Sequence, residues 1–255
     1  KDYYEAEGGA VYTIFKPVSP LELEVRYRME ETKWLRAYRH LWSLFGGDKL
    51  FRPNFSTVDS AFREDGIADI DSLDNGYLTV RLDYDTHDKD DPFDKSAWHA
   101  TGILEWSHPD LNSDFDYRRY TLTLRRYQEL HRHAMLLLRG MYGGSDGDLP
   151  MYKRFYLGGL GTLRGFRHKE YMGTEFWMAN AEYRIAFPRT DLAASLFWDA
   201  ARIANQVKLD DDVEVRQCLG IGVYFGDDLR VNVAKRLDRS ADDDAKIYVR
   251  LDHVF

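Results

Sequence analysis

Tyr77-Leu78-Thr79-Val80-Arg81-Leu82-Asp83-Tyr84-Asp85 puts Leu78, Val80, Leu82 and Tyr84 on one face and Thr79, Arg81, Asp83 and Asp85 on the other. Side chains of a strand alternate in this way; a helix would mix Arg81 and Asp85 with Leu78 and Leu82 on one surface. The period of two recurs downstream. Trp98, Ala100, Gly102, Leu104 and Trp106 oppose His99, Thr101 and Glu105, and Leu122 and Leu124 oppose Thr121, Thr123 and Arg125. Trp177, Ala179, Ala181 and Tyr183 oppose Asn180, Glu182 and Arg184; Leu196 and Trp198 oppose Ser195 and Asp199. Ile221 and Val223, then Val231, and finally Ile247, Val249, Leu251 and Phe255 continue the series. Upstream, Leu21, Leu23, Val25, Tyr27 and Met29 alternate with Glu22, Glu24, Arg26, Arg28 and Glu30, after a shorter run from Val11 to Phe15. The pattern amounts to about eleven strands.

The polar face and the connections separate a membrane barrel from a soluble sandwich. The polar faces carry Arg and Glu in mid-strand, repeatedly. Connections alternate in length: short ones at residues 17–20, 131–133, 188–190 and 227–228, longer ones at 37–75, 109–116, 145–173, 205–212 and 238–244. Short turns on one side and long loops on the other mark an outer-membrane barrel. Composition alone reads as soluble, with 31% charged residues and a mean hydropathy of -0.54. The longest clean apolar run, Ala134 to Leu138, is far short of a membrane helix. A barrel escapes that test because its polar and apolar faces average out.

The net charge is -8 with both signs dispersed, so no basic stripe invites nucleic acid. A single cysteine, Cys218, excludes an internal disulfide. Lys1-Asp2-Tyr3-Tyr4-Glu5 is not a signal peptide, and on this reading an earlier N-terminal segment has been removed. An odd strand count leaves the N-terminus on the long-loop side, which leads us to expect earlier strands and an open edge at the first one. The chain reads as one domain over residues 1–255. Residues 1–75 supply the first strands and a long extracellular loop; 76–255 form the rest of the barrel, with a distinctive loop at 145–173.

Three segments go beyond a generic barrel. Phe155-Tyr156-Leu157-Gly158-Gly159-Leu160-Gly161-Thr162-Leu163-Arg164-Gly165-Phe166 lies in the 145–173 loop. Its glycines permit backbone conformations closed to other residues, and an ordered loop of 29 residues is usually functional. The other two are Phe197-Trp198-Asp199-Ala200-Ala201 and Tyr84-Asp85-Thr86-His87-Asp88 followed by Pro92. Together they resemble the bacterial surface antigen family, the outer-membrane assembly and two-partner secretion superfamily of Bam- and Tam-type barrels. The resemblance covers about residues 76–255.

It implies an all-β, antiparallel transmembrane β-barrel, with about eleven to twelve strands present of a sixteen-stranded whole. In the family this loop folds back into the lumen and its Arg pairs with an acid on the wall. Carried over, the loop residues are Gly158, Gly159, Leu163, Arg164, Gly165 and Phe166, and the acid is Asp199. Glu182 and Glu214 face the lumen as further partners. Ala201 stands where the family usually has glycine. The ending Val249, Leu251, Phe255 resembles the signal by which barrels are recognised for assembly, though His253 departs from it. The implied function is insertion or translocation of polypeptides at the bacterial outer membrane, without cofactor, metal or catalytic residue. The implied partners are lipid, unfolded or exported polypeptides and accessory proteins of the assembly machine. An alternative is a barrel anchoring an N-terminal patatin-like lipase or phosphoesterase. His131-Arg132-His133 reads as a polar turn rather than a metal site, and Asp210-Asp211-Asp212 and Asp242-Asp243-Asp244 as solvated loops.

Overall fold

A computed structural model describes residues 4–34, 72–86, 96–204, 214–226, 229–238 and 245–251. The alternating runs form β1 (Tyr4–Val18), β2 (Leu21–Trp34), β3 (Leu73–Asp85), β4 (Ala97–Ser107), β5 (Tyr117–His131) and β6 (Ala134–Gly147). Two short strands come next, β7 (Phe155–Leu157) and β8 (Tyr171–Gly173), then β9 (Glu175–Ala186), β10 (Leu192–Ala204), β11 (Arg216–Phe225), β12 (Leu229–Arg236) and β13 (Lys246–Leu251). Eleven of them make one antiparallel meander in the order β1-β2-β3-β4-β5-β6-β9-β10-β11-β12-β13. β7 and β8 pair only with each other, inside the long connection between β6 and β9. β1 and β13 end the sheet and are not paired with each other among the described residues.

Register carries the alternation from strand to strand. Leu82 sits between Leu23 and Gly102, Leu122 between Gly102 and Tyr142, and Leu196 between Tyr183 and Ile221. A one-residue slip would turn a whole strand's apolar set to the wrong face. The apolar face stays uncovered: Leu122 is 55%, Leu196 53% and Ile221 57% exposed. Leu82, Leu124, Trp177, Trp198, Val223 and Val249 are exposed as well, and Leu78, Val80 and Val231 are half-buried. Water would penalise so continuous an apolar surface, whereas lipid solvates it. Exposed aromatics mark both rims: Trp106, Tyr120, Tyr142 and Trp177 toward the long connections, and Phe15, Tyr84, Trp98 and Phe225 toward the short turns. Such belts sit at membrane–water interfaces.

The opposite face lines the lumen. Its buried apolar cluster is made largely by the β6–β9 connection pressing Phe155, Leu157, Leu163 and Phe166 onto Phe176, Met178, Ala201 and Cys218 of the wall. The core of this molecule is thus a loop packed against the inside of a sheet.

Candidate functional site

The connection between β6 and β9 is shorter and more structured than the sequence suggests. β6 runs to Gly147, and the turn Met151–Lys153 and the β7–β8 hairpin organise the remainder of the connection. Its tip is built on glycine. Gly165 has φ +85°, and a Cβ there would lie 3.2 Å from the Cys218 Cβ, so the backbone turns tightly while pressed against β11. Gly161 has no positive φ and open space around it; its lack of a side chain is not required by the fold.

Arg164 is carried by this turn into the lumen and is 5% exposed. Its backbone N–H and Nε donate to Asp199 Oδ2 at 3.0 and 2.9 Å, and Nη2 donates to Oδ1 at 2.7 Å. Nη1 donates to Glu182 Oε2 at 2.7 Å. The guanidinium also lies 3.4 Å from the centroid of the Phe197 ring. Burial draws the Arg164 pKa down, but Asp199 and Glu182 outweigh that and raise it. Asp199 is fully buried and also accepts from Asn180 Nδ2 at 2.8 Å and from the Cys218 thiol at 3.4 Å. Glu182 accepts from Arg184 (3.1 Å), Arg230 (2.9 Å) and the Tyr224 hydroxyl. A bidentate fork with both carboxylates multiply hydrogen-bonded is the geometry in which a buried ion pair tolerates desolvation.

The wall is shaped for this. A Cβ on Gly220 would come within 2.3 Å of the Phe197 ring, so only glycine on β11 lets that ring lie flat beneath the guanidinium. Ala201 joins the apolar cluster with its methyl fully buried; the space for close approach comes from β11 instead. Glu214 does not join the site. It precedes β11, is largely exposed, and its carboxylate pairs with Arg216 at 2.8 Å. Val249 lies on β13, exposed; Leu251 ends that strand, its side chain outside the described residues, as are Phe255, the two Asp triplets and most of the segment after Thr86. His131 and His133 flank an exposed turn.

Sequence reasoning missed the other fastenings of the loop. At its start, Lys153 Nζ lies 3.2 Å from Glu105 and 3.7 Å from Glu30, and 3.6 Å from the Tyr77 ring centroid. At its end, Arg236 of β12 donates to Glu170 at 2.9 Å and to the Tyr171 hydroxyl at 3.2 Å, and covers the Phe166 ring. Between them, Asn180 holds the Thr162 carbonyl (2.9 Å), Arg139 the Gly161 carbonyl (2.9 Å) and the Tyr248 hydroxyl the Phe166 carbonyl (2.7 Å). The inward alternation of Glu30, Glu105 and Tyr248 was the only signal available for them.

The family profile described as the Omp85 superfamily domain matches residues 54–244. Outer membrane protein assembly factor BamA of Nitratidesulfovibrio vulgaris is 24% identical over 183 residues, 64% of this chain and 23% of that protein. The crystal structure of BamA from Haemophilus ducreyi lacking POTRA domains 1-3 superposes with a TM-score of 0.72 at 16% identity, covering 97% of this chain and 54% of the other. CdiB from Acinetobacter baumannii gives a TM-score of 0.42 at 12% identity, over 97% and 50% of the two chains. The chain therefore spans less than a quarter of the curated relative and about half of each solved chain.

Proposed function

This chain belongs to the Omp85 superfamily of outer-membrane β-barrels, and from that premise we propose that it is barrel wall and lumen plug of a machine that inserts or translocates polypeptides. The work on this reading is conformational. The barrel offers lipid outside and a polar lumen inside, and the folded-back loop sets how much of that lumen is open. No bond in the client is made or broken, and no cofactor is needed. Its partners are lipid, unfolded or exported polypeptides, and accessory assembly proteins. The strands of this chain are the later part of a sixteen-stranded barrel, β1 matching the sixth.

The observation that carries the reading is the buried fork of Arg164 on Asp199, with Glu182 as second acceptor. A loop that only decorated the surface would have no reason to bury a cation in the lumen and meet it with two acids. The test is reconstitution of the full-length protein in liposomes supplied with a urea-denatured outer-membrane barrel or an exported polypeptide. We expect faster appearance of the heat-resistant folded client, or protease protection of the exported one, than with empty liposomes. Arg164→Ala should slow it several-fold. Rates equal to empty liposomes for both clients would overturn the proposal.

A further inference from the structure

Below the loop tip, toward the short turns, the lumen holds a cavity of about 200 Å³. Arg125, Arg139, Arg164, Arg184 and Arg230 line it, with Glu182 the one acid among the described lining residues. Arg164, Arg184 and Arg230 all donate to Glu182. Arg125 and Arg139 differ. They are direct cross-strand partners on β5 and β6, both on the lumen face, and like charges so placed repel. Among the described residues neither ion-pairs with a carboxylate. Arg125 donates to His99 Nδ1 at 3.1 Å, and His99 in turn lies 3.2 Å from Asp83. Arg139 donates Nη1 to the Gly161 carbonyl at 2.9 Å and Nη2 to the Met141 Sδ at 2.7 Å, and its buried Nε has no partner among the described residues. Two opposed guanidiniums thus face a cavity many times the space one water needs, with no carboxylate among their hydrogen-bond acceptors in the described residues.

We propose that this cavity is an oxyanion-binding site in which Arg125 and Arg139 are the clamps, with Arg184 and Arg230 at its short-turn rim. Guanidinium forks match phosphate and carboxylate geometry. The anion supplies the charge the wall lacks and, through Arg139, bears on the loop tip. It comes either from free phosphate or from the carboxylates of a polypeptide in the lumen; the second source rests on the function proposed above, the first does not.

The experiment is calorimetric titration of the full-length protein in non-ionic detergent at fixed ionic strength. Inorganic phosphate is one titrant; the others are an Asp/Glu-rich peptide and its Asn/Gln counterpart. Saturable phosphate binding is expected, weakened about tenfold in Arg125→Gln and several-fold in Arg125→Lys, which keeps the charge and loses the fork. Arg139→Gln is the parallel variant if Arg125→Gln does not give the heat-modifiable folded band. Competition by the acidic peptide, not by its amide form, assigns the site to polypeptide carboxylates; phosphate binding without competition assigns it to the free anion. Absence of saturable binding by both phosphate and the acidic peptide, or equal binding in the folded glutamine variants, would overturn the proposal, whether or not the protein inserts clients.

Discussion

Two cations of one loop, the buried Arg164 and the half-buried Lys153, dock on different strands of the lumen wall, and they are held differently. Arg164 at the tip commits three guanidinium nitrogens and its backbone N–H to Asp199 and Glu182, at 2.7–3.0 Å, with its side chain 6% exposed. Lys153, eleven residues earlier, reaches Glu105 at 3.2 Å and Glu30 only at 3.7 Å, with its side chain 14% exposed. The acids differ in the same sense. Asp199 depends on Arg164 for most of its donors, while Glu105 and Glu30 keep the Tyr117 and Tyr77 hydroxyls, at 2.7 and 3.3 Å, whatever Lys153 does. A planar fork fixes orientation, and an ammonium fixes only proximity. The tip is therefore locked in position, and the start of the loop can shift without leaving a bare charge.

If that contrast is right, Arg164→Ala has the largest effect. It strands a fully buried carboxylate, at a cost of about 3–5 kcal/mol to the docked loop. Limited proteolysis should then cut within residues 155–171 while the strands keep their heat-modifiable gel mobility. Asp199→Asn comes next, at roughly 2–3 kcal/mol, because both Asp199 oxygens already accept hydrogen bonds and an amide nitrogen would face a donor. Arg164→Lys, which turns the tip into a copy of the Lys153 arrangement, should lose about 2 kcal/mol; a proteolysis pattern like wild type would show that charge alone holds the tip. Lys153→Ala should cost only about 1 kcal/mol, opening residues 148–154 to exchange while the tip stays protected. Equal protection losses in Lys153→Ala and Arg164→Ala would break the comparison.

The strands and the tip were legible in the sequence for different reasons. Alternation is local, so Leu78 to Tyr84 declares its two faces without any knowledge of its neighbours. Arg164 and Asp199 were found through a resemblance that names both. Glu182 was found by inward alternation alone, and the same reasoning admitted Glu214, which sits beyond the end of β11 where alternation no longer fixes a direction. Lys153, Glu30 and Glu105 went unseen because their meeting depends on the path of the loop across the lumen, linking residues far apart in sequence. The Arg125–Arg139 opposition was hidden likewise: each residue is an ordinary lumen arginine until the register of β5 and β6 sets them face to face.

The smallest expected effect tests whether the tip is locked to the wall alone or also to the sheet's last strand. Tyr248 lies on the lumen face of β13, opposite Asn232 of β12, and its hydroxyl donates to the Phe166 carbonyl at 2.7 Å. Phe166 is itself fully buried, so its carbonyl has an ordered partner where the chain leaves the tip. β13 has six strand residues and pairs with β12 on one side only among the described residues, so few ladder bonds hold it. Tyr248→Phe keeps the ring and removes the hydroxyl, which costs about 0.5 kcal/mol. The tip, with its fork intact, should barely respond. β13 should respond more, with several-fold faster amide exchange over residues 246–251 than in wild type, since one tether is a larger share of what holds a short strand. Exchange that rises at the tip and not in β13 would mean that the wall fork depends on the tether, and the contrast between a locked tip and a loose periphery would then be wrong.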